Sequence, residues 1–184
     1  EQVKLVLFDL KQGPELGEWE NYPHVWHTVF DPMTKKLDHV LQEIEKRVRS
    51  RMRTFKKVGV KKIAKYNELP DVEPMPYILL IIDEFAELHD KAGDESEQRI
   101  KSLLQIGRAA GLRAILATQR PTVDNISGSI KALCTDRICF RVADALNSRV
   151  ILDRDGGEAL PNIPGRCIFL TGADFIEVQT MFYE

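Results

Sequence analysis

The chain has 184 residues, of which 43% are hydrophobic and 29% charged, and its formal net charge is −2. This composition is typical of a soluble globular domain with a hydrophobic core, and it excludes disordered chains, collagen-like repeats and small disulfide scaffolds. The longest apolar run, Tyr77 to Ile82, is too short to span a bilayer. A nearly neutral chain is also not a general polycation for nucleic acid.

The chain's cysteines and first residues indicate a cytoplasmic setting. Cys134, Cys139 and Cys167 are odd in number and form no C-x-x-C pair, so we expect reduced, buried thiols. The first ten residues lack the basic segment and apolar segment of a signal peptide. We therefore expect this chain to be soluble and cytoplasmic.

Three short apolar segments predict buried strands, and amphipathic helices lie between them. The strands are predicted over Val3–Phe8, Tyr77–Ile82 and Leu112–Ala117. A long helix is predicted over Lys35–Lys57, where apolar residues recur with helical spacing, and another over Asp94–Ala109. The other predicted elements are helices over Lys61–Glu68, Ile126–Leu133 and Leu146–Leu152, a strand over Arg137–Val142, and an antiparallel pair over Arg166–Leu170 and Phe175–Met181. Strands that alternate with helices predict a mostly parallel sheet with helices on both faces.

Polar residues directly follow each of the three buried strands. They are Asp9 to Lys11, Asp83 with Glu84, and Thr118 with Gln119. In open parallel sheets, ligands bind in the crevice at the carboxyl ends of the strands. The pattern therefore favours a nucleotide-binding α/β enzyme.

Asp83 and Glu84 are suited to phosphoryl transfer. One carboxylate can hold Mg²⁺ through water while the other polarises an attacking water. The alternative is that the pair only caps the following helix. On the neighbouring strand, the Gln119 amide could sense a γ-phosphate, although a plain turn before Pro121 explains it equally well.

A phosphate-binding loop is absent from this sequence. No G-x-x-x-x-G-K-[ST] segment occurs, and the 11 glycines do not cluster into a phosphate cradle. Either the protein is not a nucleotide hydrolase, or the chain begins downstream of that loop. We expect the second, because the first residues lead almost at once into a buried strand.

Three blocks in a fixed order resemble the motor domain of the FtsK/SpoIIIE DNA translocases. They are Pro76–Leu88 (PYILLIIDEFAEL), Gly107–Pro121 (GRAAGLRAILATQRP) and Asn147–Asp153 (NSRVILD), and Val3–Lys11 agrees with them. The resemblance implies a RecA-like fold, ATP and Mg²⁺ as cofactors, and a hexameric ring that moves double-stranded DNA. It further implies that residues 1–184 form one truncated RecA-like motor domain, with antiparallel strands at its C-terminal end.

The resemblance also implies roles for individual residues. Asp83 is similar to the aspartate that holds Mg²⁺ through water, and Glu84 to the residue that activates the hydrolytic water. Gln119 is similar to the γ-phosphate sensor. Arg108 resembles the arginine finger that reaches a neighbouring subunit's ATP. The alternative for Arg108 is a surface arginine favoured by the helix dipole.

Four further residues match positions on family loops that touch DNA phosphates: Thr118, Arg120, Lys131 and Arg149. Contacts with phosphates grip DNA without reading its sequence, as a translocase requires. The alternative for each is a solvated surface residue. The basic run Lys46–Lys65 has ten Lys/Arg and no acid, and its apolar stripe indicates a core helix with a charged outer face more than a DNA site.

These patterns together predict part of an ATPase that translocates double-stranded DNA, in conjugation or chromosome segregation. The whole protein is expected at the cytoplasmic face of the membrane, reaching it only through regions outside this chain, and the chain alone is expected to be inactive. The ending Pro164–Gln179 resembles conjugative coupling proteins and type VII secretion ATPases. A polypeptide-moving secretion ATPase, and an interaction module that kept the fold without catalysis, therefore remain open.

Overall fold

The computed structural model describes residues 2–11, 15–33 and 35–181, apart from the side chains of residues 89 and 94. Its contacts divide the chain into two compact units, Glu1–Gln119 and Arg120–Glu184. None of the helices within the described ranges is both long and apolar enough to cross a membrane.

The first unit contains a four-stranded, fully parallel sheet with the strand order β2-β1-β3-β4. Its elements are β1 (Val3–Phe8), β2 (Val25–Val29), α1 (Lys35–Val58), α2 (Ile63–Asn67), β3 (Tyr77–Ile82), α3 (Phe85–Gly107) and β4 (Leu112–Leu116). A short 3₁₀ turn, Gly17–Trp19, precedes β2. The predicted strands and the long first helix are present, whereas β2 was not predicted.

Helix α1 packs along the stripe that its sequence predicts. Six of the predicted apolar positions are buried: Leu37, Val40, Leu41, Ile44, Val48 and Phe55. Met52 is instead partly exposed, and the buried position beside it is taken by Arg51, only 4% of which is exposed. Such a position is unusual for arginine, and here two backbone carbonyls accept hydrogen bonds from the guanidinium.

Helix α3 starts nine residues before the predicted start at Asp94, so that boundary is wrong. The Glu84 side chain caps the helix by accepting a hydrogen bond from the N–H of Ala86. At Gly93 the backbone leaves the helical region, with φ 74°, and divides α3 into two helical stretches. The sequence pattern found only the second stretch.

Helices α1 and α3 contact each other, and they also contact the sheet, α1 at β2 and α3 at β4. On β3, alternate residues Ile78, Leu80 and Ile82 are buried, so they face one side of the sheet. The intervening β3 residues are only half-buried, and on the edge strand β4 the side chain of Ile115 is 51% exposed. The second face of this sheet and its β4 edge therefore keep apolar surface in contact with solvent.

The second unit contains a three-stranded antiparallel sheet with the order β5-β6-β7. Its elements are α4 (Gly128–Leu133), β5 (Asp136–Phe140), α5 (Ala145–Leu152), the 3₁₀ turn Gly157–Ala159, β6 (Arg166–Thr171) and β7 (Asp174–Gln179). Cys139, Leu152 and Leu170 form its buried core. The predicted antiparallel pair is confirmed.

The three cysteines are free thiols. Cys139 and Cys167 are buried, and Cys134 is half-buried. Burial raises the pKa of the Cys139 thiol to about 11, so this group stays protonated at neutral pH. Its contribution is therefore to packing.

Candidate active site

The carboxyl ends of β1, β3 and β4 lie side by side, because the three strands are in register. Phe8 pairs with Ile82, and Ile82 pairs with Leu116. The residues that follow continue this pairing, with the N–H of Asp83 donating to the carbonyl of Phe8 at 2.9 Å. The polar residues expected at the strand ends are thus brought to one edge of the sheet. We call Asp9, Lys11, Asp83 and Glu84 the acidic edge.

Lys11 bridges the two neighbouring carboxylates of the acidic edge. Its Nζ lies 3.8 Å from Asp83 Oδ2 and 3.8 Å from Glu84 Oε2. The sequence placed Lys11 at a polar strand end but did not assign it a role. Lys11 follows β1, and β1 pairs directly with β3, the strand that precedes Asp83 and Glu84. This adjacency was the signal that could have identified Lys11 as part of the site.

Burial raises the pKa of Asp83, and the negative charges of Asp9, Glu15 and Glu84 act in the same direction. The Lys11 ammonium opposes this rise. The site thus holds a carboxylate in surroundings that disfavour its charge. A cation brought to this edge would relieve that repulsion.

The Glu84 carboxylate ties the end of β3 to the end of β4. Only 2% of this side chain is exposed. Its Oε1 accepts hydrogen bonds from the Ala86 N–H at 3.4 Å and from the Thr118 hydroxyl, and its Oε2 accepts one from the Gln119 N–H at 3.0 Å. Glu84 therefore caps α3, and the same carboxylate also lies at the acidic edge.

The donor set of the acidic edge fits a Mg²⁺ ion held largely by water and phosphate. Asp9 Oδ2 is occupied by the N–H groups of Glu15 and Leu16, each at 2.8 Å, whereas Asp9 Oδ1 and Asp83 Oδ2 are buried without a hydrogen bond. No cluster of three or more potential metal ligands exists in the part of the chain described. Mg²⁺ typically takes one or two carboxylates and keeps several waters, so an incomplete protein cage suits this ion.

Gln119 reaches the site through its backbone. Its N–H binds Glu84, while the residue as a whole is exposed. The structure therefore brings together Asp83, Glu84, Thr118 and the Gln119 backbone, and it leaves the Gln119 side chain accessible to a ligand.

Arg108 lies at the opposite end of β4 from these residues. It is exposed at the end of α3, and β4 separates its corner from Thr118. Between Gly111 and Thr118 the chain covers about 20 Å at the usual rise of a strand. Arg108 therefore cannot reach the acidic edge of its own chain.

The corner that carries Arg108, residues 107–111, is fixed from three sides. The buried Arg51 guanidinium donates to the carbonyls of Ala110 at 2.8 Å and Pro76 at 2.7 Å. The N–H of Ile63 donates to the Ala109 carbonyl at 2.9 Å. Gly111 has φ +86°, and a Cβ there would lie 2.5 Å from Ile63 Cδ1. A glycine at position 111 is thus required by the geometry of this corner.

The other predicted phosphate contacts belong to the second unit, and two of them are paired with acids. Lys131 binds the carboxylate of Asp153, which also accepts a hydrogen bond from Arg137 at 2.7 Å. Arg149 forms a two-point pair with Asp155. Arg120 is exposed at the start of the unit.

The sequence of this chain matches one family model over two thirds of its length. The model of the FtsK/SpoIIIE family matches residues 1–123, which include the acidic edge and the Arg108 corner. The chain belongs to the FtsK/SpoIIIE family. A DNA translocase FtsK from Helicobacter pylori strain J99 is 39% identical over 165 residues, covering 87% of this chain and 19% of that protein. The 184-residue chain thus spans about a fifth of the length of the curated relatives it matches.

Solved structures agree with this assignment. The pCW3 conjugation coupling protein TcpA, in a monomer form with ATPγS, has a TM-score of 0.86 at 29% identity, covering 96% of this chain and 51% of that one. The cytoplasmic domain of the Thermomonospora curvata type VII secretion ATPase EccC also has a TM-score of 0.86, at 22% identity over 98% of this chain and 22% of that one. The second likeness concerns the fold alone. The predicted RecA-like α/β fold and the family resemblance are confirmed.

Proposed function

We propose that this FtsK/SpoIIIE chain is part of an ATP-driven translocase of double-stranded DNA. The observation that carries the proposal is the placement of Asp83 and Glu84 at the end of β3, with Thr118 and Gln119 beside them. The similarity to proteins named DNA translocase FtsK supports DNA as the substrate.

The residues of the acidic edge divide the chemistry of hydrolysis. Asp83 would hold Mg²⁺ through water, and this ion neutralises the charge of the transferred phosphoryl group when it is bound. Glu84 polarises the attacking water once its carboxylate is released from its present partners. Gln119 offers an exposed amide as the sensor of the γ-phosphate. Lys11 lies between the two carboxylates and offsets part of their negative charge.

The phosphate-binding loop is proposed to come from a segment of the parent protein outside these 184 residues. No glycine-rich phosphate cradle occurs among the residues described, and the half-exposed sheet face with the edge strand β4 offers apolar surface for a further strand and helix. We therefore propose that residues 1–184 are the downstream part of a RecA-like motor domain, and that this part alone does not hydrolyse ATP.

Arg108 is proposed to act on the nucleotide of a neighbouring copy. Its exposed position, remote from its own acidic edge, supports action in trans. An arginine supplied by a neighbouring subunit raises the rate of phosphoryl transfer by a large factor. This arrangement fits a ring such as the expected hexamer, in which each copy completes the site of the next.

DNA is proposed to contact Arg120, Lys131 and Arg149, which are cationic and belong to the second unit. Contacts of this kind neutralise phosphates and make binding depend on salt. Membrane attachment, expected at the cytoplasmic face, is proposed for regions of the parent protein outside this chain.

The test uses the parent protein with its phosphate-binding loop. Glu84→Gln is expected to abolish hydrolysis while ATP binding, measured by calorimetry, is retained. The control is Glu95→Gln, which alters an exposed helix carboxylate paired with Arg99. Hydrolysis at the normal rate in Glu84→Gln would contradict the proposed role of Glu84.

Two further measurements test the other parts of the proposal. Calorimetry on the 184-residue chain is expected to show no ATP binding, and micromolar binding would contradict a loop supplied from elsewhere. The assembled parent protein is expected to bind double-stranded DNA at low salt, more weakly after Arg120→Ala. Complete absence of DNA binding would favour a polypeptide substrate instead.

A further inference from the structure

Thr118 connects the Glu84 carboxylate to the start of the second unit. Its hydroxyl donates to Glu84 Oε1, and the N–H of the next residue, Gln119, donates to Oε2 at 3.0 Å. The residue after that, Arg120, is the first of the second unit. Two consecutive residues thus hold both oxygens of one carboxylate immediately before a boundary in the fold.

The carboxylate of Glu84 is held in an arrangement that does not suit hydrolysis. Only 2% of the side chain is exposed, so water has little access to it. Its Oε1 has a second donor in the Ala86 N–H, and its Oε2 lies 3.8 Å from Lys11 Nζ. A general base must bring a free oxygen within hydrogen-bond distance of the attacking water. Glu84 meets that condition only after some of these contacts are broken.

We propose that Thr118 is a positioning residue that holds Glu84 back from hydrolysis until the 118–120 segment shifts on DNA binding. This inference rests on the proposed function, in which Arg120 contacts DNA and Glu84 activates water. A pull on Arg120 is transmitted directly through the backbone to Gln119 and Thr118. The hydroxyl and the N–H then move away from the carboxylate together, and hydrolysis is coupled to the presence of the substrate.

This assignment gives Thr118 a role other than contact with a DNA phosphate, for which its sequence position made it a candidate. Hydrogen bonds to a carboxylate are stronger than those between neutral groups, so a single hydroxyl can bias the position of Glu84. Valine has the shape of threonine without the hydroxyl, and serine retains the hydroxyl. Thr118→Val and Thr118→Ser therefore separate the hydrogen bond from the packing.

The first experiment measures ATP hydrolysis by the parent protein, with its phosphate-binding loop, in the presence and absence of double-stranded DNA. Thr118→Val is expected to raise the DNA-free rate about tenfold, the scale of one hydrogen bond to a charged group. The ratio between the rates with and without DNA falls accordingly. Thr118→Ser is expected to keep the wild-type ratio. The matched control is Thr122→Val, because the Thr122 hydroxyl accepts a hydrogen bond from the Asn125 N–H instead.

Three outcomes of this experiment overturn the proposal. If Thr118→Val leaves the DNA-free rate unchanged and weakens DNA binding, Thr118 is a DNA contact. If the DNA-free rate falls, the hydroxyl supports the chemistry. If Thr118→Ser behaves like Thr118→Val, the methyl group rather than the hydroxyl matters.

A second experiment needs no activity and is made on the 184-residue chain. The protection factor of the Gln119 N–H against hydrogen exchange, measured by NMR and corrected for neighbouring side chains, reports on its hydrogen bond to Glu84. Glu84→Gln and Thr118→Val are each expected to lower this protection factor, whereas Thr118→Ser and Thr122→Val are not. An unchanged protection factor in Thr118→Val overturns the proposal. An inactive wild-type parent protein alongside a lowered protection factor in Thr118→Val would instead count against the proposed ATPase function.

Discussion

Arg149 and Asp155 form a two-point ion pair on the surface of the second unit. Arg149 Nε donates to Oδ1 at 2.6 Å, and its second nitrogen donates to Oδ2 at 2.9 Å. The same fork geometry is the one in which arginine binds a phosphate. Asp155 therefore occupies the donors that a DNA phosphate would need.

Neutralising Asp155 is expected to strengthen DNA binding. In Asp155→Asn the guanidinium is no longer held by a charge, and because an exposed pair is weak we expect an increase of only a few-fold. The measurement is the DNA affinity of the assembled parent protein between 50 and 200 mM salt, roughly the range over which phosphate contacts respond. Asp174→Asn, an exposed aspartate of β7, is the control. If Arg149→Ala changes neither affinity nor salt slope, Arg149 does not contact DNA.

The stability of the second unit is expected to depend on pH through the charge of Asp153. Hydrogen bonds from Lys131 and then Arg137 lower the pKa of Asp153 below its ordinary value of 3.8. A carboxylate with a lowered pKa stabilises the fold above its unfolded pKa and loses that effect as pH falls through the folded value. Asp153→Asn should therefore reduce the free energy of unfolding at pH 7.

The difference between Asp153→Asn and the wild type should shrink as the pH falls below the ordinary value of 3.8. Urea unfolding followed by circular dichroism at a series of pH values measures it. The exposed Asp124 provides the control, in Asp124→Asn. A difference that stays constant across the series would show that the charge of Asp153 is not responsible.

Arg51 is expected to stabilise the corner that carries Arg108. Arg51→Met fills the space but leaves the carbonyls of Ala110 and Pro76 without their donors, at a cost of about 2 kcal/mol. Arg53→Met, an exposed position on the same helix, is the control. Equal urea midpoints for the two variants would mean that other donors replace Arg51.

Gly111 is expected to tolerate no side chain, for two separable reasons. Its φ of +86° strains any other residue, and a Cβ would lie 2.5 Å from Ile63 Cδ1. Gly59 has a similar φ of +76° with open space around it. Gly59→Ala should therefore cost about 1 kcal/mol, from backbone strain alone.

Gly111→Ala should cost about 3 kcal/mol, because overpacking adds to the same strain. Adding Ile63→Val, which removes the clashing Cδ1, should recover part of this loss. Thermal and urea unfolding measure the series. Similar losses in Gly111→Ala and Gly59→Ala would show that the clash is relieved by a small movement of Ile63.

The parts of the fold that the sequence predicted are those with a strong local pattern. Helix α1 matches its prediction within one residue, because its apolar stripe continues from Leu37 to Phe55. Strand β2 was missed because its centre, Trp26 and His27, is only half-buried and gives no continuous apolar run. The first stretch of α3 was missed because the break at Gly93 divides the helical pattern.

The site was predictable as far as sheet geometry alone determines it. The strand-end rule placed Asp83 and Glu84 beside Thr118 and Gln119, since parallel strands in register end at one edge. The contacts between them were not predictable, because Glu84 and Thr118 are 34 residues apart and their bond depends on side-chain orientation. The pairing of Arg149 with Asp155 likewise depends on the turn after α5, which no periodic pattern specifies.

If Arg108 acts on the nucleotide of a neighbouring copy as proposed, its separation from Glu84 by the length of β4 means that defects in the two residues can compensate each other. In that arrangement, an assembly built only from Arg108→Ala copies would lack the arginine at every site, and one built only from Glu84→Gln copies would lack the general base at every site. Mixing the two restores complete sites wherever a Glu84→Gln copy lends its arginine to an Arg108→Ala neighbour. Hydrolysis is therefore expected to recover when the two inactive preparations are mixed, because some sites then combine Glu84 of one copy with Arg108 of the next.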